Sequence, residues 1–298
     1  MITAIRTTVA VLAVMSGNAV AAVQSTHDTA FWRAIVHERY APPAGADVPA
    51  LAAELLDMLA SADPERRDEI GYSTLANWIY QRKIISGDAL RSLTANLVAN
   101  LTQGVGEHDT DSVFRRSFSA LTLAAVVARD NADSVLDAEE WHRIEQAALA
   151  YLAAEQDLRG YDVDKGWMHS AAHTADLIRF LGRSRHLDVA GQMRLLGAVG
   201  QKLVTAPVVF THGEDERFAR ALLSIVNRKD FNHAAFAAWL ADTKPAVAPR
   251  PTLAQLRAVQ NWKNILAKLE VVLSNDPQPS ETVAATRNAV RAVLKELF

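Results

Sequence analysis

The amino-acid sequence predicts an all-α protein built from stacked antiparallel helical hairpins. Three observations carry that expectation. Amphipathic runs at helical spacing succeed one another along almost the whole 298-residue chain. Helix-start signals recur ahead of them: Ser86 before a helical run, Asp63-Pro64 as a cap with proline at the first helical position, and Asp137 ahead of Glu139 and Glu140. Strand patterns are nearly missing. Only Ala206–Phe210 resembles one, and Pro207 weakens it.

Taken in order, the expected helices are Thr29–Arg39, Val48–Ser61, Pro64–Ile84, Asp88–Leu101, Asp111–Arg129, Asp137–Ala154 and Trp167–Gly182. Val189–Val204, Asp215–Asn227, Asn232–Asp242, Thr252–Leu273 and Ser280–Leu297 follow. Alanine tracts at Ala120–Ala128 and Ala147–Ala154 favour this state, because alanine loses no side-chain entropy in a helix. Short loops between so many helices imply antiparallel neighbours. Two arrangements fit, a HEAT-like α/α solenoid and a compact α/α bundle. Arg116–Leu121 and Arg217–Leu222 echo one another, too faintly to define a repeat period. Three prolines in Thr243–Pro251 mark a linker, so residues 23–242 read as one helical domain and 252–298 as a terminal helical pair.

Composition narrows the function classes. A hydrophobic share of 50% supports a sizeable core, while a net charge of −3 with scattered Lys and Arg argues against a nucleic-acid partner. Cysteine is absent, which excludes disulfides, thiolate catalysis and Cys-ligated zinc. At the start, one positive charge at Arg6, the apolar run Val9–Met15 and small residues at Ala19–Ala22 stand in signal-peptide order. Residues 1–22 are therefore expected to be a cleaved signal and the chain to be exported, periplasmic or secreted. The apolar run is too short to span a bilayer, so no stable membrane insertion is expected after cleavage.

The densest chemistry lies between Arg159 and Asp176. With a helix from Trp167, His169, His173 and Asp176 fall at i, i+4 and i+7 on one face. Such a trio can chelate a divalent ion such as zinc or manganese, with Asp176 ligating it or orienting an imidazole. It can equally be a hydrogen-bonded polar cluster in a helical core. Ser170 stands where a His-Glu-x-x-His protease would carry its general base. Glu214 and Asp215 could complete a metal shell, or simply favour the positive end of a helix dipole. Asp162 and Asp164 could bind a cation or form a turn. Of six tryptophans, Trp167 is singled out because it adjoins the histidines.

The run Arg159-Gly-Tyr-Asp, Lys165-Gly-Trp-Met-His169, Ala172-His173 and Ala175-Asp176 resembles the signature of bacterial domain-of-unknown-function family 2785. Phe114–Leu121 and Glu214–Arg217 resemble its other blocks, and the likeness covers roughly residues 50 to 240. The resemblance implies a helical domain and assigns no activity, so no catalytic residue carries over. Gly-Trp-x-His also occurs near the zinc site of α/α-toroid enzymes. Those use cysteine ligands, which this chain lacks, so that likeness extends to fold alone. Three functions stand open at this point: a binding or scaffolding module for a protein or peptide, a metal-dependent hydrolase centred on His169 and His173, and a structural envelope protein.

Overall fold

The computed structural model describes residues 27–275 and 278–298. The expected signal segment, 1–22, lies outside the described residues. The described chain is all-α, with twelve α-helices and one two-stranded hairpin. Among the described residues, no helix is long and apolar enough to cross a membrane.

Helices α1 (Thr29–His37) and α2 (Val48–Met58) begin at Asp28 and Asp47, whose carboxylates accept from backbone amides in the first turn. Next comes a continuous helical wall. Its centre is a short α3 (Ser73–Ala76), flanked by π-helical turns at Glu65–Tyr72 and Asn77–Gln81. The sequence predicted one α-helix over this stretch. The π turns, which close i→i+5, each take up more residues per turn. Helices α4 (Gly87–Asn100), α5 (Ser112–Asp133) and α6 (Ala138–Ala154) follow. Asp137 and Glu140 close a full capping box on α6.

The expected helix start at Trp167 is corrected. Gly166 and Trp167 form strand β2, paired antiparallel with β1 (Tyr161–Asp162), and α7 spans Ser170–Leu181. The backbone explains the delay: Gly166, at positive φ, brings the chain out of the turn into β2, and His169, also at positive φ, prevents the helix from starting earlier. Ten of the twelve α7 residues are buried. Its small residues Ala171, Ala172 and Ala175 allow close approach to α5 on one side and α9 (Glu214–Val226) on another. Helix α8 (Val189–Thr205) packs on α6.

The stretch Ala206–Phe210 is no strand. Asn261 holds it instead: its Oδ1 accepts from Phe210 N at 2.9 Å and its Nδ2 donates to Val208 O at 3.0 Å. Asn261 belongs to α11 (Leu253–Ser274), which packs on α8 and α9; α12 (Glu281–Leu297) packs on α11 and on α10 (His233–Thr243). Trp262 is fully buried, 5.5 Å from the Trp239 ring across the proline-rich connection. The terminal pair thus shares the hydrophobic core of the preceding helices. Replacing Asn261 by Ala strands the buried Phe210 N–H and loses both bonds. We expect a stability loss of about 2–4 kcal/mol, read as a lower urea midpoint at unchanged m-value.

Candidate functional site

The signature stretch folds as a hairpin clamped from three sides. Asp162 Oδ1 accepts from the amides of Asp164 and Lys165, both at 2.9 Å, so Asp162 shapes the turn, and these amides hold its carboxyl below the ordinary range. Arg67, fully buried, donates to Lys165 O at 2.8 Å. Lys165 Nζ meets Asp111 at 2.6 Å. Asp164 remains exposed on the turn, and neither aspartate reaches the cavity beyond it.

That cavity, about 690 Å³, opens between the hairpin, α5, α7, the start of α9 and the helical wall. It collects Trp167, His169, His173 and Asp176 on one side and His212 and Arg217 on the other. Trp167 is 41% exposed at its rim and stacks on His169 at 4.2 Å. His169 lies just ahead of α7, and its backbone carbonyl accepts from His173 N, which preserves the one-turn relation between the two rings. Their centroids are 5.7 Å apart and nearly perpendicular.

The protonation of each ring follows from its partner. His169 Nε2 lies 2.9 Å from His212 O, a pure acceptor, so the proton sits on Nε2 and Nδ1 keeps its lone pair. Burial lowers this imidazole to about 4. His173 Nδ1 lies 2.8 Å from Ser117 Oγ. That hydroxyl donates its one proton to Met168 O, so it accepts from Nδ1–H and leaves His173 Nε2 unprotonated. Burial pushes His173 well below the ordinary imidazole range, and His169 and Arg217 push the same way. Both rings are neutral at physiological pH.

Asp176 takes another role than the one expected. It pairs with Arg217 and not with an imidazole, and burial raises its carboxyl against the pull of that guanidinium. Glu214 is buried and accepts from His212 N at 2.8 Å, fastening the carbonyl that holds His169. Asp215 accepts from Glu216 N and stays outside the cavity; Glu216 and Arg217 line it instead. Among the described residues, no group of three or more His, Asp and Glu is placed to hold a metal ion.

The sequence reading passed over the cavity's cations. Arg217 pairs with Asp176, Arg220 with Glu216 at 2.6 Å, and Arg67 behind the wall with Asp68 at 2.6 Å. Arg179 has no carboxylate within 4.0 Å among the described residues, and its buried Nε makes no hydrogen bond. It was legible in principle, because Arg179 continues the series His173, Asp176 by one more step of three along α7. The cavity continues into a second one of about 680 Å³, with Tyr72, Leu121, Asp176 and Arg179 common to both. A separate hollow of about 510 Å³ holds Arg185 and Arg228, already consumed by Asp130, Asp230 and backbone carbonyls.

Gly160 permits the His212 ring to sit where it does, since a Cβ at residue 160 would overlap that ring. Because both rings have folded-state values below 6.5, the unfolded chain takes up protons first as pH falls. Stability is therefore full above about pH 6.5 and declines toward pH 4. His169→Gln can still donate to His212 O without titrating. We expect a shallower decline for it, measured as urea midpoints at about pH 7.5 and about pH 4.5.

The family model described as "Protein of unknown function (DUF2785)" matches residues 101–271, which hold the hairpin, α5, α7 and α9 and stop short of the wall at 65–81. No curated protein and no solved structure matches the chain. With more than half its length under that one model and the hairpin signature in place, the chain belongs to the family DUF2785.

Proposed function

We propose that this chain is an exported binding module whose stacked helical hairpins present a groove for a ligand bearing an acidic group. One observation carries the reading: Arg179 lines both parts of the groove and has no carboxylate within 4.0 Å among the described residues. Its guanidinium is half-buried and can donate charge-assisted hydrogen bonds to an anion entering the groove. The neighbouring guanidiniums of Arg217 and Arg220 are already neutralised in place, so they shape the seat without repelling one another. Trp167 at the rim offers an aromatic face beside it. Export rests on the order of charge, apolar run and small residues at the amino terminus.

A second reading is metal-free acid–base chemistry. It rests on the unprotonated nitrogens of His169 and His173, neutral and side by side in the cavity wall. An ester-hydrolysing activity that survives chelators and vanishes in His173→Asn would favour it.

For the binding reading, succinate, glutarate and inorganic phosphate at about 10 mM are expected to raise the melting temperature by about 2–4 °C. Arg179→Gln is expected to abolish that rise. Equal shifts in both proteins, or none in the wild type, would sink the reading.

A further inference from the structure

Among the described residues, six arginines line the groove and the separate hollow. Four of them are matched: Arg217 with Asp176, Arg220 with Glu216, Arg185 with Asp130 and Arg228 with Asp230. The other two, Arg179 and Arg183, have no carboxylate within 4.0 Å among the described residues. They stand four residues apart across the end of α7 and share one ring. Each guanidinium carbon lies 5.5 Å from the centroid of Phe180, so the two stand no further apart than twice that distance. Ser224 Oγ anchors Arg183 as well, accepting from its Nε at 3.1 Å. Arg183 is exposed and Arg179 half-buried. Phe180 lines the groove and Arg183 the hollow, so the two cavities adjoin at this ring.

Left to itself the pair is unfavourable. Like charges at this spacing repel, and burial first, then Arg179, weakens the hold of Arg183 on its proton. The negative end of a helix dipole favours one cation here. Arg228 already fills that place, donating to Gly182 O at 3.2 Å and to Ser184 O at 2.7 Å. Two guanidiniums held on one ring and short of counter-charge suit a ligand that brings two negative groups on a short frame. We propose that the anion seat at Arg179 is half of a double seat, and that Arg183 takes the second acidic group of a short dianionic ligand lying across Phe180. The first half rests on the reading of Arg179 given above, while the second rests on the anchoring of Arg183.

The test is calorimetric titration of the full chain with glutarate, its monomethyl ester and inorganic phosphate. Glutarate is expected to bind about tenfold more tightly than the ester, which keeps the frame and loses one charge. Arg183→Gln is expected to remove that advantage and to leave the affinity for the ester within about twofold. Arg179→Gln is expected to weaken both ligands. The Arg183→Gln side chain can still donate to Ser224 Oγ and relieves the repulsion, so this variant should melt no lower than the wild type. Equal affinity of the wild type for glutarate and ester overturns the double seat whatever the variants do. An Arg183→Gln protein that keeps the difference overturns it too. So does a dependence on Arg183 seen with phosphate and absent with glutarate, which would mark a seat for one doubly charged centre. All three outcomes leave the anion seat at Arg179 standing. Failure of all three ligands to bind the wild type overturns that seat as well.

Discussion

Arg67 is the interaction on which the rest of the site depends. Its side chain is fully buried, stacked over Phe114 at 4.1 Å and over Phe118 at 4.8 Å. It pairs with Asp68 and donates to Ser61 O at 3.0 Å and Lys165 O at 2.8 Å. One guanidinium thus ties the helical wall, α5 and the signature hairpin to a single point. A cation so deeply desolvated is tolerated only when ring faces, carboxylate and carbonyls surround it together. Burial lowers its proton affinity, although a guanidinium keeps its charge throughout the working pH range. With the hairpin held in this way, Trp167 and His169 are delivered to the cavity rim at fixed height.

Electrostatic order within the cavity follows from burial more than from charge count. The imidazoles, which a surface site would leave free to titrate, are held neutral by burial, while His212 O and Ser117 fix which nitrogen of each carries the proton. Two of the three arginines lining it are matched on the spot. The third, Arg179 on α7, has no carboxylate within 4.0 Å among the described residues. Tyr72, which lines both parts of the groove, has its hydroxyl pushed up to about 12 by burial and by Asp176, so it remains a neutral donor.

The all-α character and most helix positions were readable from residue pattern alone. Caps such as Asp137 with Glu140 announce themselves locally. The hairpin escaped because its cause is two left-handed residues, Gly166 and His169, and only the glycine advertises such a conformation in sequence. The metal trio was a fair inference from i, i+4, i+7 spacing, yet Asp176 found Arg217 across a distance of 41 residues, which periodicity cannot foresee. Ser117, which sets the His173 tautomer, lies 56 residues away from it in the same blind spot.

The helical wall has a consequence of its own. Tyr72, Ala76 and Tyr80 form one row on the groove and Ser73, Asn77 and Gln81 another, each at steps of four. In an unbroken α-helix such rows drift by about 40° per step. Turns that close i→i+5 rotate less per residue and hold both rows in line. A π turn amounts to an α-helix carrying a surplus residue. Loss of a single residue from 65–72 would let the helix heal with the rows that follow still in phase, whereas the same loss from a plain α-helix would swing everything after it by about 100°. The π turns therefore give this wall a tolerance to length: one residue can be gained or lost within them while the row facing the groove stays where it is.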